Sequence, residues 1–94
     1  MNGEMQAALI AALTATLPAL RAQLHLTQAE LGAVVGVTGK TIYCIESGRQ
    51  PMSWVMFLAL VYFFSFHRAA HPLLNMAGIN SALLADLIGE RAIQ

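Results

Sequence analysis

The sequence predicts an all-α fold, a compact bundle of about five or six helices. Apolar residues recur at helical spacing in segment after segment of this 94-residue chain. A hydroxyl residue stands where an N-cap belongs before several of these segments: Thr16, Thr27, Thr38 and Ser53. Glycine or proline punctuates them at Pro18, Gly36, Gly48, Pro72 and Gly78.

Residues 4–15, EMQAALIAALTA, read as a helix because alanine and leucine favour one. Met5, Leu9, Ala12 and Leu13 form its narrow apolar stripe. Pro18 lacks an N–H and clashes with the preceding turn, so it either starts a new helix or kinks a continuous one. Leu17, Leu20 and Leu24 then line one side through about His25. Thr27 and Glu30 stand in capping-box register, and Leu31, Val34 and Val35 give the helix they open an apolar side. Gly36 falls where a left-handed residue closes that helix. Thr38 caps the next helix, whose inward residues are Ile42 and Ile45. Two short helices joined by a turn of this length make a helix-turn-helix. Gly32, mid-helix, costs about 1 kcal/mol against alanine; a second helix crossing at close range explains it.

Ser53 caps a helix from Trp54 to His67, and WVMFLALVYFFSF is apolar around its whole circumference. A small core does not cover such a helix. Either the terminal segments wrap it or it forms a homodimer interface, and the two are compatible. The candidate interface residues are Trp54, Phe57, Leu58, Val61, Tyr62 and Phe64. His67 and His71 lie one turn apart, but two imidazoles without a third ligand are a weak metal pattern; no metal site is expected. A short turn, PLLNMA, follows His71 and is closed by Gly78. Asn80 or Ser81 then caps a last helix with Leu83, Leu84, Leu87 and Ile88 on its apolar face and Asp86, Glu90 and Arg91 outward. Leu83 and Leu87 add a second candidate dimer contact.

The succession L-T-Q-x-E-L at 26–31, V-G-V-T at 35–38 and T-I-x-x-I-E-S-G at 41–48 resembles the lambda-repressor/Cro-like (XRE-type) helix-turn-helix regulators. The resemblance covers about residues 17–66, leaving the helix at 4–15 and the helices at 72–92 as additions to a single domain. It implies a lambda-repressor-like bundle that binds operator DNA, usually as a homodimer. It also implies that Arg21 reaches Glu46 at the end of the recognition helix, that Gln28 meets the DNA backbone, and that Arg49 binds a phosphate. On the recognition helix Lys40 is the obvious reader, of guanine or of phosphate. Thr41 is placed for phosphate; Tyr43 suits phosphate through its hydroxyl or a thymine methyl through its ring. Thr38, Gly39, Cys44 and Ser47 complete that face. Gly39 and Cys44 depart from the polar residues of many relatives, which moves weight toward shape readout. In the following loop Pro51 comes one place earlier than in the family, and Met52 takes the position before the Ser53 cap.

Apolar residues make up 57% of the chain and charged residues 11%, with five cations against five acids. That balance disfavours disorder and disfavours a strongly basic, nonspecific nucleic-acid binder. One cysteine permits no internal disulfide and fits a reducing cytoplasm. No basic cluster near Cys44 argues for a reactive thiol. The longest apolar run, Trp54–Phe64, is eleven residues, short of the roughly 20 a bilayer requires; no membrane partner is expected, and the lack of a basic n-region disfavours a signal peptide. No phosphate-binding glycine loop, metal cluster or nucleophile–base set points to an enzyme, and no cofactor is expected. The reading is a cytoplasmic transcriptional regulator, a homodimer on an inverted-repeat operator in double-stranded DNA. It would act as repressor or autoregulator, with activation through RNA polymerase as a further route, as in regulators of mobile elements. The alternative is a protein-interaction module or antitoxin-type partner with weak DNA binding.

Overall fold

The computed structural model describes residues 3–80 together with 82, 83 and 85. Within them the chain forms five α-helices and no strand: α1 (Gly3–Gln23), α2 (Gln28–Val35), α3 (Gly39–Glu46), α4 (Trp54–Ser65) and, after a 3-10 turn at Arg68–Ala70, α5 (His71–Met76). α2 and α3 pack chiefly on each other, and α1 lies against α3, α4 and α5. One core joins all five helices. Leu13, Leu17 and Leu20 come from α1, Leu31 from α2, Ile42 and Ile45 from α3, and Phe57, Leu60, Val61 and Phe64 from α4; Met52, Ala70, Leu74 and Ile79 close it.

The N-terminal segment is one helix of 21 residues that continues through Pro18. The proline sits on the exposed side, while Leu13 and Leu17 before it and Leu20 after it are buried together. Tertiary burial therefore holds both halves in register despite the missing N–H. The hydroxyls of Thr14 and Thr16 donate to the carbonyls of Ile10 and Ala12 at 2.7 Å. By length and composition α1 is apolar enough to cross a bilayer, although no uninterrupted apolar run of bilayer length marks it in the sequence. Here it is the first member of the bundle.

Hydroxyl caps open the next three helices. Thr27 accepts from the Glu30 N–H and the Glu30 carboxylate accepts from the Thr27 N–H, a complete capping box. Thr38 and Ser53 accept from the Thr41 and Met56 N–H groups. Helix ends share one device as well. His25, Gly36, Gly48 and Gly78 are left-handed, and the residue after each donates its N–H back to a carbonyl five positions earlier, for instance Leu26 to Arg21 at 2.9 Å and Ile79 to Leu74 at 2.8 Å. After three of the four ends that residue is apolar and packs on the core: Leu26, Val37 and Ile79. After α3 it is Arg49.

α4 is where expectation and structure part. Phe57, Val61 and Phe64 lie inside the chain's own core, with Phe57 and Phe64 at 0% exposure, so they are not available to a second copy. The exposed side carries Val55, Tyr62 and Phe66 instead, with Trp54 and Leu58 half-buried at its edges. Residues 71–76 form α5 rather than a turn, because Pro72 sits in the first turn, where its missing N–H is not needed. The Asn80 carboxamide oxygen accepts from the Leu83 N–H at 2.8 Å, capping the next segment. Leu84, Leu87 and Ile88 of the expected last helix lie outside the described residues.

Candidate nucleic-acid interface

The unit formed by α2 and α3 is held at two points where only glycine fits. A Cβ on Gly32 would lie 2.6 Å from the Val37 carbonyl oxygen and 2.9 Å from the Thr38 carbonyl carbon. The close neighbour is thus the turn backbone rather than the body of the next helix. A Cβ on Gly39 would lie 2.9 Å from both Cα and N of Ala29. Gly39 therefore brings the start of α3 onto α2, and its place on the outer, reading face is corrected: it is an approach point between the two helices.

A polar knot fixes the far end of α3. Arg21 on α1 donates from Nε to Glu46 Oε2 at 2.6 Å and from Nη2 to Glu46 Oε1 at 2.9 Å, a bidentate pair. Its Nη1 also reaches the Leu26 carbonyl at 3.1 Å. The Arg21 side chain is 18% exposed and that of Glu46 8%. The hydrogen bonds to Glu46 raise the Arg21 pKa above its ordinary value against the opposing effect of burial. Gln28, at the first position of α2, donates from Nε2 to Glu46 Oε1 at 3.0 Å. One carboxylate thereby ties three helices. Gln28 has an internal partner that sequence reasoning missed, since a polar residue opening a helix gives no sign of a partner eighteen positions on.

With Ile42 and Ile45 buried, the opposite side of α3 faces out. Lys40, Tyr43 and Ser47 follow one another at helical spacing and are all exposed. Arg49 joins them from the loop: its guanidinium carbon stands 5.6 Å from the centre of the Tyr43 ring, within cation–π range. The backbone places it there, because Gly48 turns left-handed and the Arg49 N–H bonds the Cys44 carbonyl at 2.9 Å. The signal was present in the sequence. Arg49 follows a helix-ending glycine at the place where Val37 and Ile79 follow theirs, and it alone is charged.

The remaining candidates are engaged in the fold. Thr38 and Thr41 serve the α3 cap, their hydroxyls 3.2 Å apart. Cys44 is half-buried, and the Ser47 hydroxyl donates to its carbonyl at 3.3 Å. Among the described residues the ion pair is Arg21–Glu46; Lys40 and Arg49 have no carboxylate at ion-pair distance. Both acids of the motif are occupied, Glu46 in the knot and Glu30 in the capping box, whose hydrogen bonds from the Thr27 backbone and hydroxyl lower the Glu30 pKa from its ordinary 4.5. His71 Nε2 lies 2.7 Å from the Ser65 carbonyl and His67 packs on Phe63; no three-residue metal-binding cluster occurs among the described residues.

The sequence model of a family described as a helix-turn-helix domain matches residues 12–74, about two-thirds of the chain. No curated protein and no solved structure matches.

Proposed function

The chain belongs to the helix-turn-helix domain family, and on that premise we propose that it is a sequence-specific transcriptional regulator of the lambda-repressor/Cro-like (XRE) type. It binds double-stranded DNA through the face of α3 that bears Lys40, Tyr43, Ser47 and Arg49. The observation that carries the reading is electrostatic. Lys40 and Arg49 stand exposed on one side of an α3 whose angle is locked, while the nearby carboxylates of Glu30 and Glu46 are bonded within the chain. Phosphate contacts from these cations position the helix, and Tyr43 and Lys40 reach base edges in a major groove. The Gln28 amide is bonded to Glu46 and the Glu30 carboxylate caps the same helix start, so the phosphate contacts come from α3 and the loop that follows it.

A homodimer on an inverted repeat sets two such helices about 34–36 Å apart. Covering a promoter then represses it; contact with RNA polymerase from the same site would activate. Two cations per protomer give about four ionic contacts and a salt slope of roughly −4 at most. Binding is therefore modest and salt-sensitive, in keeping with a chain of zero net charge. A second reading, a protein-binding module of the same fold, draws on the exposed apolar side of α4.

The deciding measurement is fluorescence anisotropy on DNA from upstream of the chain's own gene, across a salt series. The DNA reading expects modest, salt-dependent binding that Lys40→Ala with Arg49→Ala abolishes. Affinity that ignores both substitutions refutes it.

A further inference from the structure

α4 buries one side in the core and leaves its opposite side equally apolar. The buried positions are 57, 60, 61 and 64; positions 55, 59, 62 and 66 run along the other side at spacings of four, three and four. Val55, Tyr62 and Phe66 there are 76%, 69% and 70% exposed. Tyr62 and Phe66 meet edge to face at 4.8 Å and form one aromatic block. Beside them Ala33, Val34 and Gly36 at the end of α2 complete an open apolar groove of about 600 Å³.

We propose that this face is a self-association surface, and that a second copy of the chain packs its α4 against it through Val55, Ala59, Tyr62 and Phe66, with Val34 at the rim. The spacing is that of the seam between two paired helices. Charge selects the occupant. α4 carries no charged residue, whereas a helix that lies on a lipid surface is rich in Lys and Arg on its polar side. The positions flanking the seam, Met56, Leu58, Phe63 and Ser65, are uncharged too, so nothing there picks out a different helix by ion pairing. A two-fold pairing needs only a self-complementary patch and opposes no like charges. The area is of the right order: with an aromatic side chain at about 200 Å², the stripe and Val34 offer about 450 Å² per copy. Both copies with their half-buried rim approach the roughly 1,200 Å² of a small stable interface. The purpose of the pairing, two reading helices on one duplex, rests on the DNA-binding reading; the pairing itself does not.

The test is sedimentation equilibrium of the full chain from low to high micromolar concentration, with Val55→Lys and Tyr62→Glu made separately. Both side chains are solvated in the single chain, so thermal melts should show each variant folded. Wild type is expected to be dimeric, and each variant's dimer about ten-fold or more weaker. A monomeric wild type, a dimer that ignores both variants, or a monomer that binds neutral lipid vesicles through this face would overturn the proposal. Dimerisation on this face without DNA binding sinks only the regulator reading. DNA binding by a dimer indifferent to both variants sinks only the interface.

Discussion

Replacing Glu46 with alanine tests whether the knot at the end of α3 acts as a buried device or as a surface ion pair. The substitution removes the acceptor of two Arg21 hydrogen bonds and one from Gln28. Arg21 keeps only the Leu26 carbonyl at 3.1 Å. Stranding one member of a fully buried pair costs about 3–5 kcal/mol, while an exposed pair contributes about 0.2–1 kcal/mol. At 18% exposure for Arg21 and 8% for Glu46, the pair lies toward the buried limit, but the guanidinium regains some water. The expected loss is therefore about 3 kcal/mol. For a domain of this size about 4–8 °C accompanies each kcal/mol, so Tm should fall by roughly 12–24 °C. Urea titration and thermal melts followed by far-UV circular dichroism read both quantities. Arg21→Met with Glu46→Leu should restore stability to within about 1 kcal/mol of wild type, since no unpaired charge remains. A loss below about 1 kcal/mol in Glu46→Ala, or a double variant no better than the single, would refute the reasoning.

Three further outcomes follow from particular contacts. Gly32→Ala gains about 1 kcal/mol of helix propensity but sets a methyl 2.6 Å from the Val37 carbonyl oxygen; since backbone is slow to yield, a net loss of about 1–2 kcal/mol is expected, and a stabilised variant in denaturant titration contradicts the close approach. His25→Gly relieves a left-handed non-glycine residue at φ 56° and should raise stability by about 0.5–1 kcal/mol in the same assay; an unchanged or lower value argues against strain there. Tyr43→Leu should weaken DNA binding about two- to five-fold, the worth of an exposed cation–π contact, and by less once Arg49 is alanine. Tyr43→Phe, which keeps the ring, should bind like wild type; equal losses in Phe and Leu would assign the role to the hydroxyl.

What the sequence made legible is local. The Thr27–Glu30 box, the left-handed Gly36 and the paired Ile42 and Ile45 are read within a few residues, because caps, turns and helical faces are short-range physics. Three features were not legible, each for a long-range reason. Continuity of α1 through Pro18 depends on the proline facing outward while Leu13, Leu17 and Leu20 share one core. The inner side of α4 was hidden because an all-apolar helix has no polar side to contrast with, so only its neighbours decide that Phe57, not Val55, turns inward. Gln28 and Gly39 have partners across the fold in Glu46 and Ala29, and single positions carry no trace of such pairings. Arg49 lies between these cases: its place after Gly48 is visible in sequence, its seat over Tyr43 is not.

The capping box has a consequence for any duplex that approaches α2. The positive pole of a short helix is a natural seat for a phosphate, yet at α2 that seat already holds the Glu30 carboxylate, 2.9 Å from the Thr27 N–H. An incoming phosphate there meets a resident anion. Its tenancy ends only in acid, below the lowered Glu30 pKa, where the capping contribution to folding also fades. Near neutrality the leading end of α2 therefore disfavours a phosphate, and a duplex docked on α3 as proposed would lie to one side of the motif.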